Sequence, residues 1–200
     1  MELSLAQQVI SEQIGWQILF MKINLFKNLF GNNKQDEKPS LELDFSKEYP
    51  RVTLSEELKK QAYNLFFLVD KNNFNELSTL LLHQYSTFNV NLMRHPQDLS
   101  DNNGGIFKIN LLDDFNGIVV HIISNDHDLI DKIQSLNLAP PLPSVSFPSL
   151  NPEEYGSLQG DVDFWFTWLW TPYWVSLTSE QQSQLPLNEE WREFIEVRII

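Results

Sequence analysis

The spacing of apolar residues changes along the chain from helical to strand-like and back to helical, and this order predicts an α+β fold. Two runs between residues 51 and 85 have helical spacing. A capping-box pattern, Thr53-x-x-Glu56, opens the first run, whose apolar positions are Leu54, Leu58, Ala62, Leu65, Phe66 and Val69. The second run begins at Asn73 and ends near Tyr85, with its buried face at Leu77, Leu80 and Leu81. Because only the short connection Asp-Lys-Asn-Asn separates the runs, we expect an antiparallel pair of helices.

The pattern then acquires a period of two, which predicts a small, mainly antiparallel sheet. Phe88 to Met93 and Ile106 to Leu112 each alternate apolar and polar side chains, as half-buried strands do. The sequence Asp-Asp-Phe-Asn-Gly at residues 113–117 predicts a hairpin in which the Asn-Gly pair supplies the positive φ angles. The returning run, Gly117 to Ser124, is apolar on both faces apart from His121, so we expect a strand that is central or covered by helices. Asn125 is expected to cap a following helix that ends near residue 136.

Seven aromatic residues are concentrated near the C-terminus: Phe164, Trp165, Phe166, Trp168, Trp170, Tyr173 and Trp174. Their spacing predicts a helix that starts at Gly160 or Asp161 and breaks at Thr171, because Pro172 follows. A second capping-box pattern, Thr178-x-x-Gln181, and Asn188 predict two further short helices. A helix that is apolar almost all round is buried or meets a partner on its second face. We therefore expect most of these rings in a core and one or two at an interface.

Differences in composition predict five parts of a single domain. They are an amphipathic N-terminal segment (1–30), a linker (31–50), an α+β core (51–138), a proline-rich crossing segment (139–152) and an aromatic helical C-terminal subdomain (153–200). Residues 14–30 predict an amphipathic helix that docks on the domain or, as the alternative, lies on a membrane surface. Met21 is a second possible start, in which case residues 1–20 are an upstream extension.

The charge of the chain narrows the classes of partner. Fourteen Lys and Arg against 27 Asp and Glu give a formal net charge of -13, which repels phosphate backbones and attracts basic proteins. The chain has no cysteine, so it has neither disulfides nor a thiolate zinc site. No run reaches the roughly 18–20 apolar residues that span a bilayer. Together these features predict a cytoplasmic protein that binds another protein and no nucleic acid.

No motif of catalysis or ligand binding is present. The four histidines lack metal-ligand spacing, and His121 is expected to be a hydrogen-bonded residue of the core or the sheet edge. There is no GxSxG nucleophile and no phosphate-binding glycine loop. Asp161 and Asp163, next to tryptophans, resemble the paired carboxylates of a glycosidase only by their proximity in sequence. We therefore expect no enzymatic activity, no metal and no cofactor.

In size, acidity, mixed topology and lack of motifs, residues 22–200 resemble bacterial immunity proteins, which neutralise cognate toxins of contact-dependent or polymorphic systems. The resemblance implies an inhibitor, monomeric or weakly dimeric, that covers the active or substrate-binding surface of a basic toxin domain. Nine acidic residues against two arginines from residue 137 onward favour the C-terminal part as the binding surface. The expected contact residues are Asp161, Asp163, Glu189, Glu190 and Glu193, with Trp174 and Trp191 as aromatic anchors.

Two other functions are compatible with the sequence. An acidic secretion chaperone or adaptor would hold an extended client protein and would form a homodimer with an exposed apolar stripe. A small hydrolase would need a concave site that unites a histidine with carboxylates.

Overall fold

The computed structural model describes residues 49–55 and 62–199, which belong to one compact unit, Glu42–Ile200. The predicted amphipathic segment, the possible start at Met21 and nearly all of the predicted linker lie outside the described residues.

The fold is α+β, as the sequence predicted. Five antiparallel strands form one sheet in the order β1-β2-β5-β4-β3. The strands are β1 (Val52–Leu54), β2 (Tyr63–Asp70), β3 (Gln97–Asp98), β4 (Phe107–Asp114) and β5 (Gly117–Ser124). The helices are α1 (Asn73–Gln84), α2 (His127–Ser135), α3 (Pro143–Ser146), α4 (Gly160–Trp165), α5 (Thr171–Ser176), α6 (Ser179–Gln184) and α7 (Glu189–Glu196). A 3₁₀ turn (Pro152–Glu154) precedes α4, and a π-helical turn (Phe166–Trp170) joins α4 to α5.

The predicted first helix is wrong, because its beginning and its end are strands β1 and β2. Each residue of β2 pairs with β5, from Tyr63 opposite Ser124 to Asp70 opposite Gly117. Both faces of β2 carry apolar side chains, so the even and odd positions together imitate helical spacing. The predicted helix pair is consequently a strand followed by α1, which lies close to its expected position.

The predicted strand at Phe88–Met93 is also wrong, because this segment forms turns. The amide side chain of Gln97 bonds both the N–H of Asn89 (2.9 Å) and its carbonyl (2.8 Å). The side chain of Asn89 in turn accepts a bond from the N–H of Asn91 at 3.0 Å. These side chains satisfy the backbone groups that a neighbouring strand would otherwise pair, and Gln97–Asp98 itself becomes the edge strand beside β4.

The hairpin between β4 and β5 forms where predicted, but its residues have other roles. Phe115 (φ 53°) and Asn116 (φ 55°) occupy the two left-handed positions of the turn. Gly117 is the first residue of β5, and a Cβ added there would lie 2.6 Å from the carbonyl oxygen of Val69. The following helix is capped by Asp126, whose side chain accepts from the N–H of Leu129, and not by Asn125 as expected.

Helices cover both faces of the sheet. On one face, the ring of Tyr63 contacts the ring of His127 at the start of α2, with 5.4 Å between centroids. On the other face, Phe66 contacts Phe164 of α4 at 6.0 Å. The central strands therefore pack on both sides, which explains why β5 is apolar throughout apart from His121.

The predicted break at Thr171 is wrong, because the backbone stays helical from α4 through the π-helical turn into α5. The N–H of Thr171 donates to the carbonyl of Phe166, five residues earlier. The wider turn relieves the clash between the ring of Pro172 and the carbonyl four residues before it. The capping box at Thr178 and the Asn188 cap form as predicted.

Candidate protein-binding surface

The aromatic rings of the C-terminal helices form a core. Trp165 and Trp170 are fully buried and stack with 5.4 Å between ring centroids and 22° between planes. Trp191 of α7 meets Trp165 edge-on at 6.2 Å, and Trp174 lies 6.4 Å from Trp170. Trp174 is only 5% exposed and Trp191 only 2%. Both predicted anchors are therefore core residues in this conformation, because each ring is enclosed by its aromatic neighbours.

The predicted carboxylates, in contrast, all lie at the surface. Asp161, Asp163, Glu189, Glu190 and Glu193 are exposed. Asp161 and Asp163 occupy the first turn of α4, where negative charge is favourable. Residues two apart in a helix do not face each other, so these two carboxylates do not form the pair that a glycosidase requires.

Helix α7 presents an acidic stripe along its exposed side, which we define as Glu189, Glu193 and Glu196. The spacing i, i+4, i+7 places these residues on one face, while Trp191, Phe194 and Ile195 are buried on the other. None of the three stripe carboxylates has a hydrogen bond or ion pair with another described residue. The helix has acidic residues in its first turn and none that is basic in its last.

Neither of the two nearby arginines forms an ion pair with a stripe carboxylate in the described part of the chain. Arg192 donates from its guanidinium to the carbonyls of Gln182 (3.1 Å) and Leu185 (3.0 Å), at the end of α6. Arg198 donates to the carbonyls of Phe194 (3.0 Å) and Tyr155 (2.6 Å) and lies 3.8 Å above the Phe194 ring. Both cations therefore stabilise backbone carbonyls and pack α7 against its surroundings.

An open groove of about 490 Å³ lies between the proline-rich segment and the start of α7. Its described lining combines apolar side chains with two carboxylates: Phe147, Pro148, Leu150, Pro152 and Trp191, together with Glu153 and Glu190. No lysine or arginine is among these lining residues. The groove and the acidic stripe adjoin on α7, since Glu190 directly follows Glu189.

His121 lies in the central strand β5 of the sheet. Its Nε2 lies 2.5 Å from Oδ1 of Asn64, and its cross-strand neighbours are Phe66 on β2 and Asn110 on β4. The side chain is half-buried, as predicted for a hydrogen-bonded sheet residue.

Two tyrosines near the aromatic core have raised pKa values. Tyr49 donates its hydroxyl to the carbonyl of Leu68 and meets Tyr173 edge-on, with 5.2 Å between centroids. Burial raises the pKa of Tyr49 well above its ordinary value. Burial also raises the pKa of Tyr173, and the nearby charge of Asp70 adds to the effect. Tyr49 therefore links β2 to α5, through its hydroxyl on one side and its ring on the other.

Exposed apolar side chains occur on several segments of the described ranges, which contain no candidate metal site. Six large apolar side chains are exposed, each on a different segment: Leu54, Leu82, Leu92, Val145, Val175 and Val197. Residues 49–55 and 62–199 contain no group of three side chains that could hold a metal ion. Within the same ranges, no helix combines the length and apolar content needed to cross a membrane.

Sequence reasoning missed two components of this surface, Glu196 and the groove. The spacing of Glu196 from Glu189 and Glu193 was visible in the sequence, and helical periodicity alone would have placed it on the stripe. The pairing of Glu153 with Glu190 across a groove depends on tertiary packing and had no sequence signal.

Comparison with family models, with curated proteins and with solved structures finds no match for this chain.

Proposed function

We propose that this protein is a stoichiometric protein-binding inhibitor of the immunity type, which neutralises a cognate bacterial toxin by covering its active or substrate-binding surface. The observation that carries the proposal is the acidic stripe on α7, because its carboxylates are exposed while both neighbouring arginines bond backbone carbonyls. Such an uncompensated surface suits a basic partner, for example a nuclease domain whose substrate-binding face is positive.

The net charge of -13 supports the same function through kinetics. A strongly acidic protein attracts a basic partner over a distance comparable to the Debye length and raises the association rate. Rapid capture is what an inhibitor needs when its target is toxic to the cell that makes both. The proposal places the protein in the cytoplasm, where such a toxin acts.

The arrangement of side chains also suits a rigid binding face. Helix α7 is capped by Asn188, whose Oδ1 accepts from the N–H of Trp191 at 3.0 Å. Its apolar side is packed into the aromatic core through Trp191 and Phe194. A helix held in this way presents its carboxylates in a fixed arrangement, so little conformational entropy is lost on binding.

The experiment is affinity purification from the cells that carry the gene, with the full chain as bait, followed by a protection assay. We expect recovery of a basic toxin domain at a ratio of one to one, and protection of cells that co-express the chain with that domain. A triple variant, Glu189→Gln/Glu193→Gln/Glu196→Gln, should lose both properties. The matched control, Glu76→Gln/Asp128→Asn/Asp131→Asn, removes the same number of charges from α1 and α2. It should retain both binding and protection.

Two results would contradict the proposal. One is recovery of a partner whose toxicity the chain does not suppress. The other is a stable homodimer, by size-exclusion chromatography with light scattering, that binds an unfolded client, since this is the behaviour of a secretion chaperone. Equal loss of binding in the two triple variants would show that net charge matters and that the α7 stripe has no specific role.

A further inference from the structure

We propose that the groove between the proline-rich segment and α7 binds an extended, arginine-bearing segment of the protein partner. This inference rests on the proposed function, because it assigns the groove to the same partner that the α7 stripe attracts. Its volume of about 490 Å³ falls within the range of about 300–1,000 Å³ that is common for sites enclosing a small ligand or a few residues.

The chemistry of the lining identifies arginine as the occupant. Two exposed carboxylates, Glu153 and Glu190, supply negative charge, while the half-buried ring of Phe147 and the exposed ring of Pro148 supply flat apolar walls. Guanidinium is planar, weakly hydrated and able to stack on such walls while it donates to carboxylates. The more strongly hydrated ammonium group of lysine would gain less from the same surroundings.

Asparagine caps fix the backbone that carries both carboxylates. Asn151 accepts a hydrogen bond from the N–H of Glu153 (3.2 Å) at the start of the 3₁₀ turn. Asn188 caps α7 and so fixes the first helical turn, which includes Glu190. Arg198 joins the two sides, because its guanidinium bonds a carbonyl of α7 and the carbonyl of Tyr155, next to the 3₁₀ turn. The groove is therefore preformed, which reduces the entropy lost when a segment binds.

The test is an NMR titration of the full-length, ¹⁵N-labelled protein with three peptides. They are acetyl-Gly-Ala-Arg-Ala-Gly-amide and its counterparts with lysine or with citrulline, the uncharged isostere of arginine, in place of the arginine. We expect the arginine peptide to shift the amide signals of the non-proline residues between 147 and 153 and those of residues 188–191. The citrulline peptide should cause no such shifts, and the lysine peptide should bind more weakly.

Two double variants localise the effect. Glu153→Gln/Glu190→Gln should raise the dissociation constant of the arginine peptide by about tenfold, because charge pairs close to a binding site contribute strongly. Glu76→Gln/Glu180→Gln changes the net charge equally at positions outside the groove and the α7 stripe, and it should change the constant less than about twofold, since distant exposed charges contribute little. All four positions are exposed, so the variants retain the fold, which their ¹⁵N spectra check.

Three results would overturn the inference: no shifts with the arginine peptide, equal weakening by both double variants, or lysine and citrulline peptides that bind as tightly as arginine. The toxin domain recovered by affinity purification gives an independent arm. If that domain binds Glu153→Gln/Glu190→Gln as tightly as the unmodified chain but fails to bind the stripe variant, the groove inference fails while the proposed function stands. If the arginine peptide binds the groove but no toxin domain is neutralised, the proposed function fails and the assignment to a toxin segment fails with it.

Discussion

The acidic stripe leads to a prediction about stability as well as binding, and Glu193 is its most informative position. Glu193 has like-charged neighbours at three helical positions: Glu189 at i−4, Glu190 at i−3 and Glu196 at i+3. Each such pair destabilises a helix by about 0.2–0.5 kcal/mol. The change Glu193→Gln keeps the size of the side chain and removes all three repulsions, so it should raise the free energy of unfolding by about 0.6–1.5 kcal/mol.

The assay is urea unfolding followed by circular dichroism in about 10 mM and about 1 M NaCl, where the Debye length falls from about 30 to about 3 Å. The gain in stability should be clear at low salt and nearly absent at high salt. In thermal unfolding it should correspond to about 2–4 °C for each kcal/mol in a protein of this size. The control is Glu180→Gln. Glu180 lies in the first turn of α6 and accepts from Gln184, so its neutralisation should give no gain in stability.

Loss of stability in Glu193→Gln at low salt would refute this reasoning, because it would mean that the carboxylate has a compensating partner. A gain that persists unchanged in about 1 M NaCl would refute it as well, since a repulsion between exposed charges must be screened. The predicted outcome, a more stable protein that binds its partner less well, is the trade-off expected where charge is retained for function.

Three further predictions concern residues that stabilise the fold around the proposed binding surface and in the sheet. Arg198→Met should lower the free energy of unfolding by about 1.5–3 kcal/mol in urea titrations, because two charge-assisted bonds are lost. If Arg198→Lys recovered most of this loss, the two-pronged geometry of the guanidinium group would have no role. Ser100→Ala should raise the pKa of Asp98 toward 3.8 in a ¹³C NMR titration, since bonds from Ser100 are the main cause of its lowered pKa. The stability that this lowered pKa contributes is present above the unfolded-state pKa and disappears as the pH falls through the folded-state pKa. Ser100→Ala should therefore weaken the loss of stability at acidic pH. An unchanged pKa of Asp98 would refute the assignment. Gly117→Ala should lower the free energy of unfolding by about 1–3 kcal/mol, because the new Cβ lies 2.6 Å from a β2 carbonyl oxygen. The control Gly156→Ala, with nothing within 4 Å of its Cβ, should change it by less than about 0.5 kcal/mol. Equal effects of the two substitutions would contradict the crowding at Gly117.

The elements that the sequence predicted correctly are those whose signals are local. The second capping box closes reciprocally, with the N–H of Gln181 on the Thr178 hydroxyl and the N–H of Thr178 on the Gln181 side chain. Asn188 likewise caps α7 through its own side chain. In these cases the groups that determine the structure lie within three residues of each other, so the sequence contains the whole cause.

The elements predicted wrongly depend on partners far along the chain. Strand β2 exists because β5 pairs along its full length, and helices cover both faces. Its apolar run fits a helix equally well until those partners are known. Phe88–Met93 has the alternation of a strand but forms turns, because the Gln97 side chain bonds the backbone of Asn89. Pattern alone cannot identify which acceptor a backbone N–H will find.

The proposed binding surface likewise has one part that is local in sequence and one part that depends on distant residues. The stripe of Glu189, Glu193 and Glu196 is a periodicity within one helix and was open to sequence reasoning, although only two of its members were chosen. The groove carboxylates are each positioned by a local cap, Asn151 for Glu153 and Asn188 for the turn that holds Glu190. Arg198 links the two sides of the groove, because it bonds the carbonyls of Phe194 on α7 and of Tyr155 next to the 3₁₀ turn.

Local caps thus fix the backbone at each acidic group, and tertiary contacts, those of Arg198 among them, join the two sides of the groove. This division of roles explains why the aromatic residues, the most conspicuous feature of the sequence, do not form the surface. Trp165, Trp170 and Trp191 pack with one another and hold α7 in place from beneath. Exposure of Trp174 or Trp191 would remove the support on which the arrangement of the carboxylates depends, because a helix without a buried face has no fixed orientation. The aromatic core and the acidic surface are therefore two sides of the same helix, and the second requires the first.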